Sequence, residues 1–219
     1  MNPKRIVLPD EIKNSFNLTA EWKEFYGEVK EEDPHGMPTP LGEAVKITTY
    51  VDANHANNVI TRRSHTGILI FVNSALIVQY SKKQNTVESA TFGAEMVAMR
   101  NARDLTVALR IKLKMFGVPI DGPADFFCDN DSVVKNTSIP ESVLAKKHNS
   151  VNFHIIRESA AAGILRVTKI PTGDNKADAL TKILPNYQRI NLLQDILYYP
   201  SEIIDPNGDS KPPSICVIE

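Results

Sequence analysis

Two β-rich runs, "TGILIFV" (66–72) and "ALIVQYS" (75–81), are separated by only Asn73 and Ser74. A gap of two residues calls for an antiparallel hairpin with a tight turn, which commits the chain to a sheet that is antiparallel in at least one part. "VKITTYVD" (45–52) precedes the hairpin and alternates apolar residues with Thr, the pattern of a further strand. After the hairpin the character changes. Residues 89–116 read as a long helix, stopped by Gly117 and Pro119. "ADFFCD" (124–129) reads as a strand, 141–163 as one or two helices ended by Gly163, and "ILRVTKI" (164–170) as a fifth strand. "PTGDNKADALTKIL" (171–184) reads as a turn entering a helix, with Asp174 as its N-cap. Strands alternating with helices after an opening hairpin predict an α/β sheet, antiparallel at one side and parallel at the other.

The ends differ from this middle. Residues 1–45 read as an extension: "SFNLTAEWKEFYGEV" as a short helix or strand, and "KEEDPHGMPTPLGE" as a linker dense in Pro, Gly and acid. Residues 46–185 form the expected compact domain. Residues 186–219 read as a helix in "NYQRINLLQDILYY" followed by a disordered tail. At 219 residues, 42% hydrophobic and 23% charged, the chain suits one domain plus extensions. A net charge of −1 removes bulk basicity as a signal for nucleic acid, so such binding needs a local patch. Cys128 and Cys216 are far apart, which argues against a disulfide framework or a cysteine zinc site and suits a reducing compartment. No window approaches a membrane span and the N-terminus lacks a signal-peptide core, so the expected setting is intracellular, without membrane.

"DFFCDND" (125–131) begins as a buried strand and ends on acids. Taken alone, Asp129, Asn130 and Asp131 read as turn and cap residues. Asp52 closes the first strand. Glu95 falls on the helical stripe of Thr91, Ala98, Ala102, Leu105 and Leu109, the spacing of a core-facing seam. An unpaired carboxylate there costs several kcal/mol, so it requires a cation or donors. Asp178 sits in the first turn of the last helix of the compact region. Each has a bland explanation as turn residue, buried helix end, cap or first-turn acid. Jointly they point elsewhere. In a right-handed α/β sheet, neighbouring strand ends and adjacent helix starts converge on one edge. Four acids there would repel unless divalent metal neutralised them. Oxygen ligands without His or Cys suit two Mg2+ or Mn2+ ions, the arrangement that hydrolyses phosphodiesters.

The phrases "TYVDANHANN", "TRRSHTGILIFV", "YSKKQNTVESATFGAEMVAMR", "FGVPIDGP", "FCDND", "KKHNSVNFHIIRE" and "GILRVTKIPTGDNKADALTK" resemble the ribonuclease H domain of copia-type retrotransposon Pol polyproteins over roughly residues 46–185. "WKEFYGEV" and the linker resemble the segment joining it to the reverse transcriptase. The resemblance implies the ribonuclease H-like fold: a mixed five-stranded sheet with helices on both faces. It implies hydrolysis of the RNA strand of RNA–DNA hybrids with two metal ions. By motif position it implies Asp52, Glu95, Asp129 and Asp178 as catalytic metal ligands. There are departures. Many relatives carry an acid where this chain has Gly93 and a second Asp where it has Asn54. Asp131 stands where Gln is common and adds charge near the site. "IPTGDN" lacks the His of cellular ribonucleases H, with His148 and His154 the nearest candidates by motif.

Arg62-Arg63, Lys82-Lys83 and Lys146-Lys147 are paired bases at loop ends or on a helix, suited to phosphate contact or else scattered solvated charge. Family position favours binding for Arg62, Arg63, Lys82 and Lys83, with Lys147 also a candidate. Ser64, Thr66, Asn85 and Thr86 are polar neighbours within expected reach of sugar or phosphate. Hybrid selectivity is expected from duplex shape and the 2′-OH. Trp22, Phe25 and Tyr26 are expected to bury against a neighbouring domain of a longer polyprotein or, if the chain stands alone, to pack locally or stay exposed. The competing reading is a degenerate or domesticated fragment that folds and binds without catalysis. The expected location is a cytoplasmic retroelement particle or the nucleus.

Overall fold

The computed structural model describes residues 22–144, 147–194 and 196. The expectations for residues 1–21, for Lys146 and for the C-terminal tail lie outside them. In chain order the elements are α1 (Trp22–Tyr26), β1 (Ile47–Asn54), β2 (His65–Val72), β3 (Ala75–Lys83), α2 (Thr91–Met115), β4 (Ala124–Cys128), α3 (Asp131–Ser138), α4 (Ser150–Ala161), β5 (Leu165–Lys169), α5 (Asp178–Thr181) and α6 (Asn186–Leu193). Short 3-10 turns occupy Lys147–Asn149 and Thr172–Asp174. Among the described residues, no helix is long and apolar enough to cross a membrane.

The five strands lie in the order β3-β2-β1-β4-β5, with β1–β2 and β2–β3 antiparallel and β1–β4 and β4–β5 parallel. This is the mixed sheet of the ribonuclease H-like fold. The hairpin turns at Asn73, which takes a left-handed φ of 53° and whose Oδ1 accepts from the Lys46 N–H. Asn adopts that conformation readily and uses its side chain to staple the turn to the start of β1. The alternation of β1 divides its side chains between two cores. Ile47, Val51 and Ala53 meet α2, α3 and α4 through Met96, Met99, Val133, Phe153 and Ile156. Tyr50 faces the other side, against Phe71, Phe127 and Ala177 beside α5. Helices therefore cover both faces, three on one and the short α5 on the other.

Helix α3 is the one element the sequence pattern did not suggest. Its eight residues carry only two apolar side chains, the adjacent Val133 and Val134, and Asn130 caps it by accepting from the Ser132 and Val133 N–H groups. The cap reading of "DFFCDND" is thus right for Asn130. It is wrong for Asp174, which lies exposed in a 3-10 turn; α5 starts from Ala177 without a side-chain cap. Asn175 does the local work instead, accepting from the Ala177 N–H and donating to the Val51 carbonyl of β1.

The segment before β1 is anchored to the sheet's helices. Arg110 of α2 makes a two-pronged pair with Glu31, its Nε at 2.7 Å and Nη2 at 2.6 Å, and Lys114 joins at 3.0 Å. Burial works against the ionised Glu31 carboxyl, but the two cations outweigh it and hold its pKa below the ordinary value. Arg157 of α4 lies over the rings of Trp22, Tyr26 and Phe153 and donates to the Tyr26 hydroxyl. Trp22 and Tyr26 thus pack locally, while Phe25 is half exposed. Because Arg110 is almost fully buried, Glu31→Gln leaves a desolvated cation without its counter-charge. The expected cost is about 2–3 kcal/mol in urea unfolding, whereas Glu32→Gln, at an exposed position, should fall within about 0.5 kcal/mol of the parent. Equal effects from both would reduce the strap to surface decoration.

Candidate metal centre

Strands β1, β4 and β5 run parallel and end on one edge of the sheet, where β2 begins and β3 finishes. Asp52 is two residues from the end of β1, and Asp129 follows the last residue of β4. Asp178 arrives by a different route. The chain leaves β5, turns through Thr172–Asp174 and returns across the sheet as α5, packing on β1 and β2. Gly67 makes that return possible: a Cβ there would lie 2.7 Å from the Thr181 Cγ2 and 2.9 Å from the Ala177 carbonyl oxygen. Gly67 is also the residue paired across the strands with Asp52.

Asp52, Asp129 and Asp178 each offer a carboxylate oxygen within 4.8 Å of the others. Asp52 and Asp178 are buried and Asp129 is half-buried. Glu95 comes from the first turns of α2 and is 3% exposed, and among the described residues its Oε2 has no hydrogen-bond partner. Burial first, then the charges of Asp52 and Asp129, push its pKa well above the carboxylate range. Glu95 is therefore coupled to the other acids, although the close set of three does not include it. Burial, with Asp52 and Asp129 adding, also pushes Asp178 up to about 6, against the pull of Lys182. Lys182 Nζ lies 2.7 Å from Asp178 and 3.5 Å from Asp52. Its own pKa is lowered by burial but raised more by these carboxylates, for a net rise. Thr181 Oγ1 donates to Asp52, and Asn54 Nδ2 donates to the Thr181 carbonyl.

Asp125 provides the contrast. It lies fully buried near the start of β4 and is ion-paired by Lys46 and Arg166. One buried acid there faces two cations. At the other edge Asp52, Asp129, Asp178 and the buried Glu95, whose Oε2 has no hydrogen-bond partner among the described residues, gather around the Lys182 ammonium. A cluster so short of positive charge fits hard divalent cations, and its all-oxygen donor set suits Mg2+ or Mn2+.

The proton balance gives a test. Asp178 and Glu95 hold protons more tightly in the folded chain than at their ordinary values of 3.8 and 4.5. The contribution of Asp178 to stability is therefore full at low pH and lost as pH rises through about 6, and that of Glu95 is lost in the same direction. In metal-free buffer, the melting temperature of the parent relative to Asp178→Asn should fall across that interval. Mg2+ or Mn2+ should restore it, and more at pH 7.5 than at pH 5, because ions and protons compete for the same oxygens. A metal-induced rise of equal size at both pH values would contradict the competition.

The remaining candidates are placed as follows. Asp131 is exposed and pairs with Lys169 at 2.6 Å, so it adds no uncompensated charge to the cluster; that pairing lowers its pKa. His148 lies 3.7 Å from Glu88 and is about half exposed, and His154 bonds the Tyr26 hydroxyl. Arg62, Arg63, Lys82, Lys83 and Lys147 are all exposed. Lys82 and Lys83 line an open cleft of about 150 Å³ with Asn85, Thr86 and Asn101. Ser64 and Thr66 are not available to a ligand as expected. Both are buried, Ser64 accepting from the Ala56 N–H and Thr66 from Gln84. Sequence reasoning missed Thr181, Lys182 and Gly67. Lys182 had a signal, since Asp178 and Lys182 stand four apart at the start of a helix.

No protein-family model matches the chain. The Pol polyproteins of the Arabidopsis thaliana transposons RE2 and RE1 are each 28% identical to it over 150 residues, 68% of this chain. The Pol polyprotein of the Nicotiana tabacum transposon TNT 1-94 is 32% identical over 136 residues, 62% of this chain. The chain spans 10% of the length of each of these relatives. Similar solved structures include the N-terminal RNase H domain of rv2228c from Mycobacterium tuberculosis, with 17% identity and a TM-score of 0.47 over 69% of this chain and 98% of that one. LC11-RNase H1 in complex with an RNA/DNA hybrid has 21% identity and a TM-score of 0.46 over 62% and 93%. The foamy viral protease-reverse transcriptase in complex with an RNA/DNA hybrid has 21% identity and a TM-score of 0.43 over 70% and 22%.

Proposed function

We propose that this chain, a relative of copia-type retrotransposon Pol polyproteins with a ribonuclease H-like fold, is a metal-dependent endoribonuclease that cleaves the RNA strand of RNA–DNA hybrids. One observation carries the reading: three carboxylates from β1, the end of β4 and α5 meet within 4.8 Å, beside a buried Glu95 with an oxygen unpartnered among the described residues. Asp52, Asp129, Asp178 and Glu95 would hold two Mg2+ or Mn2+ ions. When bound, such ions activate water and stabilise the leaving oxygen. The chain's own residues prepare the place. Thr181 fixes the orientation of Asp52, and Asn54 and Asn175 tie the α5 region to β1. Lys182 offsets part of the repulsion between Asp52 and Asp178. Arg62, Arg63, Lys82, Lys83 and Lys147 would receive phosphates of the duplex, and a reverse transcriptase domain in a longer polyprotein is the natural neighbour.

The test is a labelled RNA–DNA hybrid incubated with Mg2+ or Mn2+, comparing the parent with Asp129→Asn. Cleavage by the parent and its loss in the variant support the reading. A folded parent that cuts under neither metal would favour the non-catalytic fragment. For the phosphate contacts, Arg63→Ala with Lys83→Ala should weaken hybrid binding and flatten its salt dependence by about 0.9 in log–log slope per contact removed. An unchanged slope would remove these residues from the interface.

A further inference from the structure

Exposed apolar side chains scattered singly over a surface need no explanation, and Val143 is of that kind here. Val59 and Ile60 are different. They are adjacent, 82% and 92% exposed, and sit in the connection between Asn54 at the end of β1 and His65 at the start of β2. That connection leaves the sheet at the edge carrying the acid cluster. It is held by bonds of its own. The Arg62 N–H donates to the Asn58 carbonyl, and the Asn58 N–H donates to the Arg63 carbonyl. Asn58 Oδ1 accepts from both the N–H and the hydroxyl of Thr61. Ala56 and Arg62 take left-handed conformations, φ 51° and 55°, so the loop closes tightly at both shoulders. Two β-branched side chains, each with few rotamers, are thus presented on a pinned tip. Arg62 and Arg63 flank them, and among the described residues neither forms an ion pair.

We infer that this tip is a groove-inserting wedge: Val59 and Ile60 enter the minor groove of the bound duplex and partly unstack a base step, while Arg62 and Arg63 hold the adjoining phosphates. The inference rests on the proposed function and adds contact residues that a charge-based search does not find. Apolar wedges beside cations are a recurrent way to grip and bend a duplex without reading its sequence. The paired arginines favour a polyanion over an apolar protein surface as the occupant, and the acid cluster on the same edge makes the surface continuous with the proposed hybrid site. A duplex unstacked next to the acids would bring its backbone towards them.

The experiment uses the full chain carrying Asp129→Asn, so that the hybrid stays intact, and hybrids with 2-aminopurine placed at successive positions in the DNA strand. With the loop unchanged, binding should brighten 2-aminopurine at one or two adjacent positions. Val59→Ser with Ile60→Ser should weaken affinity on the order of tenfold, abolish the brightening and leave the salt slope unaltered, because no charge is removed. Val59→Ile with Ile60→Val should keep both affinity and signal. Unchanged affinity and signal in the serine variant would overturn the wedge while leaving the hybrid site standing. Hybrid binding left intact, with self-association weakened in sedimentation, would reassign the tip to a protein contact and also overturn it. If the protein with its loop unchanged fails to bind hybrid at all, the wedge and the proposed function fall together.

Discussion

Asp52→Asn is expected to lower hybrid cleavage by on the order of a thousandfold or more while raising the melting temperature of the metal-free protein. The two effects have opposite signs for one reason. Asp52 is 1% exposed and shares its surroundings with Asp129, Asp178 and Glu95, against the ammonium of Lys182. Removing one buried negative charge relieves repulsion in the folded state, and Asn can still accept the Thr181 hydroxyl hydrogen bond. The same removal deletes a charged oxygen ligand, and metal charge stabilisation is worth several kcal/mol of barrier, at 1.4 kcal/mol per tenfold. Asp125→Asn is the natural comparison. Asp125 is equally buried but faces Lys46 and Arg166, so its neutralisation should lower the melting temperature. Steady-state cleavage and thermal unfolding check both. If Asp52→Asn and Asp125→Asn destabilise alike, Asp52 is a structural acid.

Gly67→Val is expected to cost about 1–3 kcal/mol of stability and, through α5, about a hundredfold in cleavage. The new side chain has nowhere to go. Its Cβ would meet the Thr181 methyl at 2.7 Å, the Ala177 carbonyl oxygen at 2.9 Å and the Leu180 Cβ at 3.0 Å, so α5 must lift from β2. That helix carries Asp178, Thr181 and the neighbouring Lys182, so a shift of about an ångström moves one acid of the cluster and the hydrogen bond that orients another. Thr181→Ser removes the nearest obstructing methyl but keeps the hydroxyl, and should recover part of the activity lost in the milder Gly67→Ala. No recovery, or a Gly67→Val variant that cleaves at the parental rate, would show that α5 tolerates displacement.

The sheet was legible because its strands are β-rich and punctuated. The Asn73-Ser74 turn fixed the hairpin, and the strands predicted at 45–52, 66–72, 75–81, 124–129 and 164–170 lie within two residues of the observed ones at both ends. The acids were legible at strand and helix ends, and Glu95 because a carboxylate on an apolar stripe demands a reason. Helix α3 was not legible, since two adjacent valines in eight residues are too few to set a helical period, and it depends on the Asn130 cap and on Val133 packing into the core shared with the sheet. The burial of Ser64 and Thr66 was equally hidden, because alternation assigns a face but not what covers it. Arg110 with Glu31, separated by 79 residues, and Gly67 beneath α5 are juxtapositions made by tertiary return paths. Local pattern carries no trace of those. The recognition of copia-type Pol motifs did reach beyond local pattern, and the similarity to the RE1, RE2 and TNT 1-94 polyproteins bears it out.

The most direct measurement is anomalous diffraction from crystals of the full chain grown with Mn2+. Manganese density is expected between Asp52, Asp129 and Asp178, with a second ion reached by Glu95, and a weakened or vanished signal in Asp129→Asn. Crystals soaked at saturating Mn2+ that hold no ion at this edge, with Lys182 still bridging Asp52 and Asp178, would contradict it.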